Sequence, residues 1–159
     1  MARRRRCHRA NSLVHVNQRC HDKAWLLMDD KDKALYLELL VHVARQLGYQ
    51  VVSYCIQDNH IHLVLQTPGQ VEGHTLSTFM HKLNNDFSHR FNQRHGRSGT
   101  VWDGRYRDSN WISLDQVNRL LLLILIWYVE SNTARRRRQA VATADWPWCS
   151  GYWLLRGER

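Results

Sequence analysis

Apolar and polar residues alternate along the first patterned stretch of the chain, SLVHVNQRC at residues 12–20. This period of two, together with the β-branched residues, predicts a strand. After Asp29 and Asp30 the spacing of the apolar residues changes to that of a helix, which Gly48 ends. The apolar residues of this predicted helix are Tyr36, Leu40, Val43, Ala44 and Leu47.

Two more β-rich runs follow, YQVVSYCIQ at residues 49–57 and HIHLVLQ at residues 60–66. Asp58 and Asn59 separate them, and because this pair tolerates tight-turn geometry, the two runs predict a hairpin. Beyond a loop at residues 67–74, apolar residues return at helical spacing. This second helical stripe consists of Leu76, Phe79, Met80, Leu83, Phe87 and Phe91.

The second half of the chain contains one strongly apolar stretch, LLLLILIWYV at residues 120–129. Ser113 and Gln116 form a capping-box pattern ahead of it, so we expect a buried helix that runs to about Asn132. The stretch is too short to span a bilayer, which takes about 20 residues. Residues 96–111 mix Gly turns with β-prone residues and predict short strands that carry exposed arginines.

The length and composition favour one folded domain with basic ends. A chain of 159 residues, 43% of them hydrophobic, can bury one core but has little left for a second. We assign residues 1–11 to a basic N-terminal arm and residues 12–134 to the folded domain. Residues 135–159 form a basic, Trp-rich C-terminal tail, which aromatic burial is expected to dock on or near the domain.

The formal net charge of +9 indicates a polyanionic partner, because Lys and Arg that neutralise phosphates release condensed counterions. Nucleic acid is the first candidate. An anionic membrane surface would require a basic face opposite a continuous apolar face, and no segment clearly has that arrangement. Residues 1–9 carry charge but no apolar signal-peptide region, so we expect a cytoplasmic protein without membrane contact.

The cysteines of the chain are scattered without C-x-x-C spacing, which argues against a zinc ribbon or a disulfide scaffold. We therefore expect free thiols at Cys7, Cys20, Cys55 and Cys149. A zinc site built from Cys7, His8, Cys20 and His21 is disfavoured for the same reason.

Two histidines on the predicted strand HIHLVLQ are the first candidates for chemistry. Side chains alternate along a strand, so His60 and His62 project from one face, roughly 7 Å apart. Neutral imidazole is a good ligand for divalent metals, and the pair can therefore bind one cation. By itself, however, an H-x-H pattern is more often a pair of surface or hydrogen-bonded histidines.

Tyr128 and Asn132 lie four residues apart, which would stack them on one face of the last helix. An amide oxygen at Asn132 can complete a metal site. On the helix pattern alone, a core tyrosine whose hydroxyl is satisfied at the helix end is the commoner interpretation.

Four segments in this order resemble the single-tyrosine HUH transposases of the insertion-sequence superfamily, and among them the REP-associated tyrosine transposases of bacteria. They are HVNQRCHDKAWLL, QDNHIHLVLQTPG, LSTFMHKLNNDFSHRFNQRHGRSGTVWDGRYRDS and WYVESNTARR, and the resemblance spans residues 13–153. HUH denotes two histidines around a bulky apolar residue, here His60-Ile61-His62. The resemblance implies an α+β fold, a ferredoxin-like antiparallel β-sheet with helices packed on it, and makes Tyr128 the nucleophile.

The resemblance also implies a reaction: metal-dependent cleavage and rejoining of single-stranded DNA at hairpin, REP-like palindromic sites through a covalent phosphotyrosine intermediate. His60, His62 and Asn132 would hold the cation. By resemblance this is Mg²⁺ or Mn²⁺, although two imidazoles and an amide also suit Zn²⁺ or Ni²⁺. Relatives act as dimers or monomers; we expect a monomer, with a homodimer as the alternative.

Two departures from the family pattern affect this site. The lead-in to the histidines is Gln57-Asp58-Asn59-His60 where the family has Met-Pro-Asn-His. The segment after the tyrosine is Asn132-Thr133-Ala134-Arg135 where the family has Asn-Pro-Val-Arg. Because proline disfavours α geometry at the residue before it, its loss allows the last helix to run past Asn132.

Candidate DNA contacts flank the site in the sequence. Arginines are expected to hold phosphates and aromatic rings to stack on unpaired bases, with solvated charge and sheet packing as the alternatives. The residues are Arg97, Trp102, Arg105, Tyr106 and Arg107, together with the basic run Arg135, Arg136, Arg137 and Arg138.

Two other functions would use the same features. A module that binds DNA or RNA hairpins would need the basic surface but no metal, and Tyr128 would be structural. A metal-dependent nuclease would activate water and release two free ends.

Overall fold

The computed structural model of the chain describes residues 9–70, 73–132 and 143–157. The strands are β1 (Ser12–Arg19), β2 (Gln50–Ile56), β3 (His60–Gln66) and β4 (Arg107–Ser113). The helices are α1 (Asp30–Leu47), α2 (Leu76–Arg94), α3 (Arg119–Glu130) and α4 (Ser150–Leu155).

Within the described residues, the four strands form one antiparallel sheet in the order β2-β3-β1-β4. Since α1 connects β1 to β2 and α2 connects β3 to β4, the chain follows the β-α-β-β-α-β path of ferredoxin-like folds. The predicted α+β class and antiparallel sheet are confirmed. The strand order places β3 and β1 at the centre, so that each is flanked by strands on both sides.

The two long helices begin and end where their sequences provide caps. At the start of α1, the Asp29 carboxylate accepts a hydrogen bond from the Lys31 backbone N–H at 2.9 Å. Gly48 ends this helix with a φ of 71°, a left-handed conformation that glycine adopts without strain. Thr75 caps the start of α2 with its side chain. The helices predicted from these signals are confirmed.

The sheet separates a large core from a smaller one. α1 and α2 cover one face, and their apolar stripes are buried against the inward side chains of β1 and β3. This large core includes Val14, Val16, Tyr36, Leu40, Ile61, Leu63, Leu65, Phe79, Phe87 and Trp102. The smaller cluster combines residues of the sheet with residues of α3 and the C-terminal segment: Leu13, Cys55, Val64, Leu125, Val129, Trp146 and Cys149.

The capping-box prediction for the third helix is wrong. Ser113 makes no capping hydrogen bond, because Leu114–Gln116 form a separate 3-10 turn. α3 begins instead after Asn118, whose side chain accepts a hydrogen bond from the Leu121 backbone N–H at 2.8 Å.

The expectation that this helix is buried is also wrong. α3 lies over β2 and β3, so only its sheet-facing side, with Leu125 and Val129, is buried. Four of its other apolar residues are exposed, Leu120, Leu123, Ile124 and Trp127, and three are half-buried, Leu121, Leu122 and Ile126. No helix among residues 9–70, 73–132 and 143–157 has the length and hydropathy that a membrane span requires.

The C-terminal aromatic segment contacts the domain through its indole rings. Trp146 Nε1 donates a hydrogen bond to the Ile56 backbone oxygen at 3.0 Å, and Trp148 Nε1 donates to the Asp30 carboxylate at 2.9 Å. Residues 1–8 and 133–142 lie outside the described residues, so the domain boundaries at residues 11 and 134 stay predictions.

The one-sided packing of α3 can be tested with two matched substitutions. Leu125→Ala removes a side chain that is 5% exposed and should lower the free energy of unfolding by about 2–4 kcal/mol. Leu123→Ala, on the same helix but 53% exposed, should change it by less than about 0.5 kcal/mol. Urea denaturation followed by circular dichroism measures both. Equal losses in the two variants would contradict this packing.

Candidate active site

The alternation of β3 places two histidines on the face of the sheet opposite α1 and α2. Ile61 and its inward neighbours point into the large core, and His60 and His62 point the other way. Both histidines are buried. Their ring centroids are 5.1 Å apart with an interplanar angle of 76°, so the pair forms a compact group of two imidazoles.

The strand register adds polar residues of β1 and β4 to the same face. Asn17 pairs with His62 and Arg19 pairs with His60 across the β1–β3 ladder. On the other side of β1, Arg107 of β4 pairs with Asn17. Since directly paired residues of an antiparallel sheet project from one face, these side chains surround the histidines.

A third histidine, His15 of β1, is hydrogen-bonded to His62. His15 Nε2 lies 3.0 Å from Nδ1 of His62, and His15 Nδ1 lies 3.1 Å from the hydroxyl of Ser109 on β4. The ring centroids of His15 and His62 lie 5.2 Å apart, and the two rings are parallel within 7°. Burial lowers the pKa of His15 below its ordinary value, which favours the neutral ring.

α3 holds Tyr128 edge-on against these rings. The ring centroid of Tyr128 lies 5.4 Å from that of His15 and 6.5 Å from that of His62, with interplanar angles of 89° and 83°. Because Leu125 and Val129 fix the helix on the sheet, Tyr128 is held beside the histidines while 38% of it remains exposed. A tyrosine that is held and accessible in this way can act as a nucleophile.

Asn132 lies just beyond the end of α3, at the same site. Its Nδ2 donates hydrogen bonds to the backbone oxygens of Tyr128 and Val129, at 2.7 and 3.3 Å. These bonds orient the amide, and Oδ1 is the atom through which it would bind a cation. α3 ends at Glu130, and because residues 133–142 lie outside the described residues, the expected helix beyond Asn132 stays a prediction. The Asn132 side chain caps two of the C-terminal carbonyls of α3.

These elements enclose a cavity of about 390 Å³. Arginines outnumber acidic residues among the residues that line it. The lining residues are Asn17, Gln18, Arg19, His60, His62, Asp103, Arg105, Arg107, Tyr128 and Asn132. The cavity is therefore polar, positively charged and bordered by a tyrosine.

The donor set of this cavity fits one divalent cation. Two imidazoles bound to one ion at about 2.1 Å would have ring centres roughly 5 Å apart, close to the spacing of His60 and His62. Nδ1 of His60 is bonded to Asn59 Oδ1 at 2.6 Å and Nδ1 of His62 to His15, so each ring would use Nε2. The described residues contain no group of three or more His, Cys, Asp or Glu suited to a metal. The amide of Asn132, the third ligand expected from the sequence, lines the same cavity.

Comparison with known proteins identifies the family of the chain. The transposase family described as IS200-like matches residues 9–117, more than half of the chain. The chain belongs to this family. The matched residues contain both histidines but end before Tyr128, so the family match by itself does not assign the tyrosine. No curated protein sequence matches the chain.

Two solved structures share the fold. The structure of a REP-associated tyrosine transposase bound to a REP hairpin superposes with a TM-score of 0.75 at 15% identity, covering 100% of this chain and 88% of that chain. A candidate transposase from Deinococcus radiodurans R1 superposes with a TM-score of 0.53 at 17% identity, covering 82% of this chain and 97% of that chain. The resemblance recognised in the sequence is thus confirmed for family and fold.

In place of the family proline before Asn59, this chain has a buried ion pair. Asp58 lies 3.1 Å from Lys33 Nζ, with side-chain exposures of 6% and 2%, and its backbone oxygen accepts from the Leu27 N–H at 2.8 Å. Lys33 Nζ also lies 5.3 Å from the centre of the Trp146 ring. These contacts hold the turn that precedes His60, which a proline would otherwise stiffen.

The predicted DNA-contact residues lie in different surroundings. Arg105 and Arg107 line the cavity, whereas the Arg97 guanidinium donates to the Thr100 backbone oxygen at 3.2 Å. Trp102 and Tyr106 are only 6% and 7% exposed, so we correct the expectation that they stack on bases: both rings pack in the large core. Residues 135–138 lie outside the described residues.

The region before β4 also differs from its prediction. The short strands predicted for residues 96–111 are confirmed at residues 107–111, which belong to β4, and are wrong for residues 97–106, whose backbone is irregular apart from an isolated bridge between Trp102 and Cys20. The sequence interpretation also missed His15, Ser109, Asn17, Arg19 and Asp103 as neighbours of the site. His15 and Asn17 alternate along β1 as the two histidines do along β3, but only the register shows that they face them.

Because Lys33 and Asp58 are both buried, removing the charge of Lys33 takes away the cation that lies 3.1 Å from the buried Asp58 carboxylate. Lys33→Met should lower the free energy of unfolding by about 3–5 kcal/mol, and adding Asp58→Asn should recover part of that loss. Urea denaturation of the single and double variants measures the coupling. Lys31→Met, at an exposed position of α1, is the matched control and should be nearly neutral. Strictly additive effects would contradict the pairing.

Proposed function

We propose that the protein cleaves and rejoins single-stranded DNA at hairpin sites through a covalent intermediate on Tyr128. The observation that carries this proposal is the position of Tyr128, held edge-on against His15 and His62 at the mouth of a basic cavity. A tyrosine with only a structural role in the core is not expected to border such a cavity. Membership of the IS200-like transposase family supports a DNA transposase reaction at this site.

In the proposed reaction, the deprotonated phenol oxygen of Tyr128 attacks a backbone phosphorus. A phosphotyrosine bond forms as the bond from phosphorus to the 3′ oxygen breaks, and that oxygen leaves as a 3′-hydroxyl after gaining a proton. Rejoining reverses the step, with a 3′-hydroxyl attacking the phosphotyrosine and the phenol released. The phosphodiester energy is conserved, so no external energy source is required.

The residues around Tyr128 have complementary roles in this proposal. His60, His62 and Asn132 would hold a divalent cation, which supplies Lewis-acid polarisation of the scissile phosphate when bound. Mg²⁺ or Mn²⁺ is proposed from the family, since the donor atoms alone also suit Zn²⁺ or Ni²⁺. Arg105 and Arg107 are placed to bind the negatively charged phosphates on either side of the scissile bond.

The proposed substrate is a DNA hairpin with a single-stranded flank. The net charge of +9 and the arginines of the cavity favour a polyanion. The solved structure with the same fold is bound to a REP hairpin, and we extend that ligand class to this chain as a proposal. Arg97 and the basic run at residues 135–138 remain proposed contacts along the backbone. Since Tyr128 lies beside the histidines of its own chain, we propose that a monomer is active, with a homodimer as the alternative.

The nucleophile can be tested by trapping the intermediate. Incubation with end-labelled hairpin oligonucleotides and Mn²⁺, followed by denaturing gels, should show a protein-linked DNA band. Tyr128→Phe should abolish this band because it lacks the phenol oxygen, and EDTA should abolish it as well. Tyr152→Phe, on α4 away from the cavity lining, is the matched control and should retain it.

The same gels separate the competing functions. Cleavage that persists in Tyr128→Phe, with both ends free, would support a nuclease that activates water. Hairpin binding without cleavage across a broad set of oligonucleotides, unaffected by Tyr128→Phe, would support a binding module. Either result would overturn the proposed strand transfer.

The metal site can be tested without DNA. Titration of Mn²⁺ followed by electron paramagnetic resonance of the free ion should give at least a tenfold weaker affinity in His62→Ala, roughly the minimum expected when a ligand is lost. Asn132→Ala should also weaken binding. His74→Ala, in an exposed loop, should bind as the wild type does. Unchanged affinity in His62→Ala would rule out this site.

A further inference from the structure

Three side chains form a hydrogen-bonded line across the centre of the sheet. Ser109 of β4 bonds to Nδ1 of His15 on β1, and Nε2 of His15 bonds to Nδ1 of His62 on β3. The register pairs Ser109 with His15, which places both on the face that carries His62. Each strand contributes one member, so the line depends on the pairing of all three strands.

We propose that His15, held by Ser109, is a positioning residue that fixes the ring orientation and tautomer of His62 so that Nε2 of His62 is its metal ligand. This inference rests on the proposed metal site. Hydrogen-bond partners behind a ligating histidine commonly set its tautomer and raise its basicity. Here the partner is another imidazole instead of a carboxylate or a backbone carbonyl.

The directions of the hydrogen bonds follow from the metal. When Nε2 of a neutral His62 binds a cation, the ring proton resides on Nδ1 and is donated to Nε2 of His15. His15 must then carry its own proton on Nδ1, which it donates to the hydroxyl oxygen of Ser109. A single arrangement of protons therefore satisfies all three side chains.

His15 itself is poorly placed to be a third ligand. Both of its nitrogens are engaged, one by His62 and one by Ser109, and it is absent from the residues that line the cavity. It is 2% exposed. His15 therefore acts through His62 and not directly on a cation.

The same ring also contacts the proposed nucleophile. The rings of His15 and His62 are parallel within 7° and joined edge to edge through the 3.0 Å contact between Nε2 and Nδ1, and the ring of Tyr128 meets His15 at 89°. Replacing His15 by a residue that cannot accept a hydrogen bond would leave the Nδ1 proton of His62 without this acceptor in a buried site. That loss would favour rotation of the ring or the other tautomer, and either change removes Nε2 from the cation.

The first test compares two replacements of His15 by Mn²⁺ titration of the full chain. His15→Phe keeps a planar ring but has no acceptor, and we expect its Mn²⁺ affinity to fall about 10- to 100-fold. His15→Gln offers an amide oxygen to His62 and should stay within about threefold of the wild type. Wild-type affinity in His15→Phe, or an equal loss in both variants, would overturn the proposal.

The second test reads the tautomers directly. Long-range ¹H–¹⁵N spectra of the Mg²⁺-loaded protein should show the proton on Nδ1 in both His15 and His62. Ser109→Ala removes the last acceptor without altering the buried rings, and it should introduce the Nε2–H form of His15. A proton on Nε2 of His15 in the wild type would overturn the proposal even if His15→Phe failed to fold.

The two proposals fail in different ways. If His62→Ala binds Mn²⁺ as the wild type does, the metal site itself is wrong, and the positioning role fails with it. If His62→Ala loses Mn²⁺ while a folded His15→Phe retains it, the metal site stands and only the role of His15 is overturned.

Discussion

The antiparallel pairing of β1 with β3 is the constraint on which the site depends. These strands are the two central ones, and their register sets Asn17 beside His62 and Arg19 beside His60. Because side chains alternate along a strand, a slip of one residue would turn His15 into the apolar core and bring Val14 or Val16 to the site. The apolar residues that fill the core thus also determine which side chains lie at the site on the opposite face.

α3 completes the site because it is packed on one side only. Two buried residues, Leu125 and Val129, anchor it on the sheet, while Tyr128 between them keeps 38% of its surface exposed. A fully buried helix, which its apolar sequence suggested, would have hidden the phenol from any substrate. The amide of Asn132 closes the end of the helix and places a potential ligand beside the histidines.

The missing proline before Asn59 shows how other residues can hold the same turn. The Lys33–Asp58 ion pair together with backbone hydrogen bonds holds the turn before His60. This arrangement does not follow from local propensity, because Lys33 lies on α1 and is brought to the turn only by tertiary packing.

The sequence by itself determined the strands, the two long helices and the H-x-H pair, because these depend on local periods of 2 and 3.6 residues and on caps such as Gly48. The resemblance identified the family and made Tyr128 the expected nucleophile. Only the tertiary structure decided that His15 and Ser109 stand behind His62, that Trp102 belongs to the core, and that α3 has an exposed side. Those relations join residues far apart in the chain through strand register and burial, which no local pattern encodes.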